Sequence, residues 1–264
     1  MFKLSSVSKH FGVHRIFDDL NLELFPQEKV ALIGPHRSGK STLLRILAGI
    51  EPYQRGYVSA PDWTWVGYLP QTVPGTAEIV ADMFQAARED YFRIKGRSVV
   101  AGQFACLAGM DAPHPRYGLL ECHASCGIGP HCRLMMVRLG IQHLSPTARL
   151  MSLTTSERKR LWLAGLLLAS PDVLLLDEPT DTFDILEIEW FERFLQGYKG
   201  TLVIASNDRA LLERMSSTVW EIEPERHGVR RWEKELHQPL RPAGRTRAVS
   251  GTIAFPLKAV QPAR

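Results

Sequence analysis

The chain has 264 residues, 45% of them hydrophobic, and a formal net charge of +4. That length suits one large domain, or a domain with a subdomain, and the apolar content is that of a globular protein with a sizeable core. No stretch reads as a membrane span: the nearest apolar run, Leu161 to Leu176, is broken by Ser170-Pro171-Asp172, short of the ~18 uninterrupted residues a span needs. Met1-Phe-Lys-Leu-Ser-Ser lacks a following apolar region, so no secretory signal is read and the cytosol is the expected compartment.

Leu4 to Phe25 reads as two strands around a turn at Gly12, with Asp18 to Leu24 alternating polar and apolar as a half-buried strand does. Val30-Ala-Leu-Ile33 is an apolar strand, Gly34-Pro-His-Arg-Ser-Gly39-Lys40-Ser41-Thr42 a glycine loop, and Leu43 to Ala48 a helix. The loop fits G-x-x-x-x-G-K-[ST], in the strand–loop–helix context that pattern requires. Such a loop turns backbone N–H groups onto a phosphate at the positive end of a helix. Lys40 would reach the β- and γ-phosphates, and the Ser41 hydroxyl would take a place on Mg²⁺. Gly56-Tyr-Val58 and Trp65 to Leu69 read as strands. Residues 75–150 look mainly helical, Ala77 to Ala87 most clearly, and Ser156 to Ala169 is a second long helix. Val173-Leu-Leu-Leu176 and Thr201 to Ala205 are short apolar runs suited to buried parallel strands, with a helix over Leu186 to Leu195 between them. Alternating strand and helix argues an α/β fold with a mainly parallel sheet.

Two adjacent carboxylates close the strand at 173–176. Asp177 would hold Mg²⁺, since a hard cation takes oxygen ligands, and Glu178 would orient or deprotonate an attacking water. Lys40 lies 137 residues before Asp177, so the fold must bring the two together.

Taken in order, these motifs resemble the ATP-binding cassette (ABC) ATPases over most of residues 1–225. The resemblance implies a P-loop NTPase (RecA-like) parallel-sheet core, an N-terminal antiparallel β subdomain, and a helical ABC subdomain inserted at about 75–160. Phe11 lies where such proteins stack an aromatic on adenine. Gly34 to Thr42 (Gly34, Pro35, His36, Arg37, Ser38, Gly39, Lys40, Ser41, Thr42) is the Walker A loop. Gln71 is the Q-loop residue that senses metal and γ-phosphate, and Asp177 and Glu178 are the Walker B Asp and catalytic Glu. Asp181 to Asp184 is the D-loop. Leu153, Thr154, Thr155, Ser156 and Glu157 form the signature, which acts on a second subunit's ATP. The implied cofactors are ATP and Mg²⁺, and the implied partner is a second cassette in a homodimer or heterodimer.

Within the superfamily the chain is most similar to the ABC-F branch, which reads LSGGE, DEPTNHLD and SHDR. Here those stand as Leu153 to Glu157, Asp177 to Asp184, and Ser206-Asn-Asp-Arg209. ABC-F proteins lack membrane domains, usually carry two cassettes, and many act on the ribosome. The rival readings are the ATPase subunit of an exporter, working with a membrane protein, and a non-hydrolysing regulator. Three departures fall on chemistry. Thr155 and Ser156 replace two signature glycines, where a Cβ restricts both approach and φ. Asn207 replaces a switch His and cannot shuttle a proton. His36-Arg37 replaces Asn-Gly, and Arg37 costs backbone freedom if its position needs positive φ. The expectation is retained ATP binding with slow hydrolysis.

Two segments remain. Cys106, Cys122, Cys126 and Cys132, with His123 and His131, offer soft ligands but lack the paired CxxC spacing of a zinc site. In a reducing compartment they are expected to be free thiols. From Arg226 onward nine Lys/Arg and two Glu give +7, leaving −3 on the rest. This Pro- and Gly-punctuated stretch, 226–264, is expected to be a poorly ordered basic tail with some attraction for RNA or an anionic surface.

Overall fold

The computed structural model describes residues 1–61, 64–73, 75, 78–84 and 130–233. Strands β1 (Phe2–Phe11) and β2 (His14–Leu24) form a hairpin, and β4 (Arg55–Ser59) joins the other side of β1, giving an antiparallel sheet of order β2-β1-β4. The second sheet has order β5-β6-β7-β3-β8-β9. Its strands are β3 (Lys29–Ile33), β5 (Val66–Leu69), β6 (Val173–Asp177), β7 (Thr201–Ala205), β8 (Thr218–Glu223) and β9 (Gly228–Glu233). β5 to β8 run parallel, and β9 closes the edge antiparallel to β8. The helices are α1 (Lys40–Leu47), α2 (Pro130–Arg138), α3 (Thr155–Ala169), α4 (Ile185–Gly197) and α5 (Arg209–Met215).

The central strands are apolar on both faces because both faces are covered. In β6, Leu174 and Leu176 enter a cluster with α3 and α4, while Val173 and Leu175 face α1 and the antiparallel sheet. β7 splits the same way, with Leu202 and Ile204 on one side and Val203 and Ala205 on the other. Every residue of both strands is buried, so alternation of polarity has no reason to show in the sequence. The mixed sheet, antiparallel N-terminal sheet and flanking helices match the architecture that the sequence resemblance implies.

One feature departs from the sequence reading. Residues 228–233 belong to the sheet, not to a tail starting at 226: β9 pairs along its length with β8, from Glu223↔Gly228 to Thr218↔Glu233. Its exposed Arg230 and Arg231 hide the strand by charge, yet Arg231 is tied to Glu28 at 2.8 Å. The helical reading of 77–87 is described only at 78–84, where Ile79 bridges to Arg149 and residues 80–84 are helical. Residues 85–129, with Cys106, Cys122, Cys126 and His123, lie outside the described residues, as do Ala77 and residues 234–264 of the basic stretch. Cys132 is half-buried on α2 against the main core. Among the described residues, no group of three His, Cys, Asp or Glu could hold a metal, and no helix is long and apolar enough to cross a membrane.

Candidate nucleotide site

The carboxyl ends of β5, β6, β7 and β3 lie side by side, the edge at which open α/β sheets bind ligands. Register fixes this: Asp177 pairs with Ala205, Ala205 with Leu32, and Leu176 with Leu69. The separation of 137 residues between Lys40 and Asp177 therefore collapses to two strand widths, with β7 between.

The loop 34–42 is shaped by its glycines. Gly39 caps α1 at φ 107° with no side-chain cap, so the first-turn amides have no intrahelical acceptor. A Cβ on Gly39 would sit 2.6 Å from Ile16 Cγ2 and 3.1 Å from Phe17 Cζ, so the hairpin packs directly on the loop. Arg37 stands at φ 61°. The position does need the left-handed region, and an arginine there carries the strain that a glycine would not. Ser38 and Thr42 are buried, whereas Pro35, His36 and Arg37 are exposed. Lys40 Nζ donates to the carbonyls of Gly34 (2.9 Å) and Pro35 (3.0 Å), placing its ammonium over the loop. Burial lowers the Lys40 pKa, while Glu178 and Asp177 pull it back up.

Asp177 is 2% exposed. Burial raises its carboxyl above the ordinary carboxylate range, opposed by a hydrogen bond from Ser41 and by the charges of Lys159, Arg45 and Lys40. The Tyr68 hydroxyl also faces it, and burial pushes that phenol upward. Asp177 Oδ2 is buried with no hydrogen-bond partner. A buried carboxylate oxygen left unpaired beside a serine hydroxyl and a lysine-bearing loop is costly alone and suits a hard divalent cation carrying phosphate. The residues present therefore fit Mg²⁺: Asp177 and Ser41 would hold it, with phosphates on the loop amides and Lys40.

Glu178 stands at φ 49° just past β6. Its N–H donates to the Ala205 carbonyl at 2.8 Å, and its Oε2 accepts from the Asn207 backbone N–H at 3.0 Å. Burial raises its carboxyl, and the Asn207 bond works against that. Asn207 thus reaches Glu178 through its backbone, and the residue itself is exposed. Gln71 lies two residues beyond β5 on the same sheet edge, also exposed. Phe11 ends β1, 45% exposed.

The segment 153–157 differs from the expectation. Thr155 and Ser156 are the first residues of α3 in ordinary helical conformation, so their Cβ atoms cost nothing in φ. Thr154 caps the helix in a reciprocal box: its Oγ1 accepts from Glu157 N at 3.2 Å, and its N donates to Glu157 Oε2 at 2.8 Å. Glu157 also bonds His143 Nε2 at 2.8 Å, and these bonds, His143 first, pull its carboxyl down to about 2. What remains of the expected obstruction is the two side chains themselves, not the backbone.

Three consecutive cations on α3, Arg158, Lys159 and Arg160, complete the site, and no sequence motif singles them out. A helix turns by about 100° per residue, so neighbours fan out. Arg158 donates to Val73 O (3.2 Å) beyond the Q-loop and to Leu153 O (2.6 Å). Lys159, 2% exposed, donates to Glu178 O (2.6 Å) and Asp181 Oδ1 (2.7 Å). Arg160 donates to Glu187 Oε1 (2.6 Å) and to the Thr182 carbonyl. One turn of helix thus fastens the loops after β5 and β6. The available signal was the basic triplet directly after a capping box, but its targets are set only by tertiary structure.

A family model described as ABC transporter matches residues 17–181. The chain belongs to the ABC family. Among curated relatives, this cassette is 33% identical over 238 residues to the tylosin resistance ATP-binding protein TlrC of Streptomyces fradiae, covering 85% of this chain and 43% of that one. It is 32% identical over 213 residues to the energy-dependent translational throttle protein EttA of Escherichia coli strain K12, covering 79% and 38%. The chain thus spans about two fifths of the length of the curated relatives it matches. Among solved structures, an ATP-binding subunit of an ABC transporter superposes with a TM-score of 0.64 at 15% identity, over 88% of this chain and 90% of that one. The dimeric bacterial ABC transporter cassette MJ0796 superposes at 0.61 and 16% identity, over 88% and 98%. These two establish the fold alone; the ABC-F proteins are the sequence relatives.

Proposed function

We propose that this cassette binds Mg-ATP on residues 34–42 and uses ATP to close against a second cassette, as an ABC-F-like cytoplasmic factor acting on the translation machinery. The observation that carries the ATP half is the juxtaposition of the Lys40 ammonium, the orphaned Asp177 Oδ2 and the Glu178 carboxylate on one sheet edge. The translation half is supported by about 32% identity to a translational throttle protein and by the basic stretch from Arg226, whose charge favours RNA. In this reading the loop amides and Lys40 bind and orient the triphosphate, Asp177 and Ser41 hold the cation, and Phe11 stacks on the base. Glu178, aimed by the Asn207 N–H, takes the proton of the attacking water, and Gln71 reports on the γ-phosphate. Bound Mg²⁺ supplies charge neutralisation at the phosphates. Turnover is slow, below the ordinary range of roughly 1–10³ s⁻¹, because Leu153–Glu157 offers side chains where a partner's phosphate must approach.

The test uses E178Q, which keeps the nucleotide site but lacks the proton acceptor, a loss of roughly 10²–10⁴ in rate. With Mg-ATP it should accumulate as a closed dimer and co-sediment with ribosomes in a salt-sensitive manner. Co-purification with a multi-span membrane protein instead, with no ribosome binding, would establish the exporter reading. Mg-ATP binding without any turnover in wild type, whichever partner is supplied, would establish the regulator reading.

A further inference from the structure

Lys9 is a buried lysine that the nucleotide chemistry above does not use. It is 3% exposed, and its Nζ sits 4.3 Å from the centroid of the Phe11 ring. The same ammonium pairs with Glu51 Oε1 at 2.7 Å and donates to the Pro52 carbonyl at 2.6 Å. Gln54 adds a second clamp between the two residues: its Oε1 accepts from His10 N at 3.0 Å, and its Nε2 donates to His10 O at 3.3 Å. Phe11 is thus held from beneath by the segment that follows α1.

The other end of this arrangement reaches the phosphate loop. Lys9 pairs with Phe17 in the hairpin register, and Phe17 packs against Gly39. Glu51 Oε2 lies 3.8 Å from Arg45 Nε, which also donates to the Ser41 carbonyl at 3.3 Å. A continuous polar chain, Lys9–Glu51–Arg45–Ser41, therefore joins the underside of the aromatic to the residue proposed to hold the cation.

We propose that Lys9 is a positioning residue for nucleobase recognition: its ammonium fixes the Phe11 ring and polarises it for stacking a purine on the open face. The inference rests on the reading of this site as an ATP site with Phe11 under the base. A cation on one face draws π density toward itself. The opposite face is left electron-poor, a better partner for the electron-rich adenine ring. Swinging the ring away from the base would break the cation–π contact, so the platform is set before nucleotide arrives. Phe11 is 45% exposed, so the side chain keeps surface for a ligand despite the Lys9 contact.

The test is isothermal titration of the full chain with Mg-ATP and with Mg-tripolyphosphate, a ligand with the phosphates but no base. Wild type should prefer ATP, and F11A should lose that preference. K9M should weaken ATP binding about five-fold and leave tripolyphosphate unchanged. In the F11A background, K9M should add nothing further. Because K9M leaves the Glu51 charge without its ammonium, the double variant K9M/E51Q removes that charge while its amide oxygen can still accept from Arg45; it should show the same selective loss on ATP. An equal loss on both ligands, or the same K9M effect with and without Phe11, would reduce Lys9 to sheet scaffolding and overturn the proposal. If F11A leaves the preference for ATP intact, the base platform lies elsewhere and the inference falls with it. If wild type binds neither ligand, the ATP reading itself has failed.

Discussion

Lys159→Met removes a buried cation that no motif names. Lys159 Nζ has two acceptors, the Glu178 carbonyl at 2.6 Å and Asp181 Oδ1 at 2.7 Å. Methionine retains most of the apolar stem, so little packing is lost. The Asp181 side chain is 41% exposed, which limits that half of the loss to ~0.5 kcal/mol, as for a surface pair. The bond to the Glu178 carbonyl is charge-assisted and lies beneath the site, worth about 1.5–3 kcal/mol. The expected destabilisation is therefore about 2–3.5 kcal/mol, a fall in Tm of about 4–14 °C. Urea unfolding at unchanged m-value measures it. D181N alone should cost ~0.5 kcal/mol, and the double variant should be more stable than the sum of the two losses predicts, because the singles share one contact. Glu178 stands at φ 49°, and its carbonyl is what Lys159 grips. K159M should therefore lower turnover more than nucleotide affinity. A K159M protein within ~0.5 kcal/mol of wild type, or strict additivity with D181N, would refute the tether.

Glu157→Gln should cost about 1 kcal/mol at neutral pH, the value of a helix cap. The folded carboxyl titrates at about 2 against an ordinary 4.5, so its stabilisation is complete above about pH 4.5 and is lost as pH falls toward 2. The stability gap between wild type and E157Q in urea should accordingly be flat above that range and close below it. Arg37→Gly should raise stability by up to about 1 kcal/mol, since relief of ~1–2 kcal/mol at φ 61° exceeds glycine's extra unfolded-state entropy; a fall in Tm would contradict the strain. Thr155→Gly with Ser156→Gly should lose up to ~1 kcal/mol per position at the start of α3 yet increase ATP turnover by clearing the approach to a second subunit's phosphate. Unchanged or lower turnover would show that these side chains are no obstacle.

The loop 34–42, Asp177 and Glu178 could be read from the chain because each follows an apolar strand and carries residue types that few other tasks require together. The parallel sheet was equally plain, since β6 and β7 are buried on both faces and show unbroken apolar runs. Contacts made at long sequence separation were not legible. Lys159 meets partners 19 and 22 residues away, and nothing in the local pattern says which of three adjacent cations turns inward. β9 escaped because an edge strand needs only one buried face, and its arginines look like tail. Thr155 and Ser156 were misread in φ because comparison with a glycine motif suggests a glycine conformation, while the helix begins there with ordinary dihedrals.

That last correction changes what this cassette can offer a partner. Glu157 is committed to its own helix: it bonds Thr154 N, Thr154 Oγ1 and His143, and holds its charge through acid pH. Its carboxylate is directed back into the cap, so it neutralises the positive end of α3 that would otherwise face an anion. A second subunit's phosphate would meet that partly neutralised helix end together with the hydroxyls of Thr155 and Ser156. Thr155 Oγ1 already accepts from Arg158 Nη2 at 3.3 Å, which leaves its O–H free to donate outward. In the proposed reading the segment would offer donors through side chains where glycines would offer backbone, a weaker and more distant contact that would slow the site without silencing it.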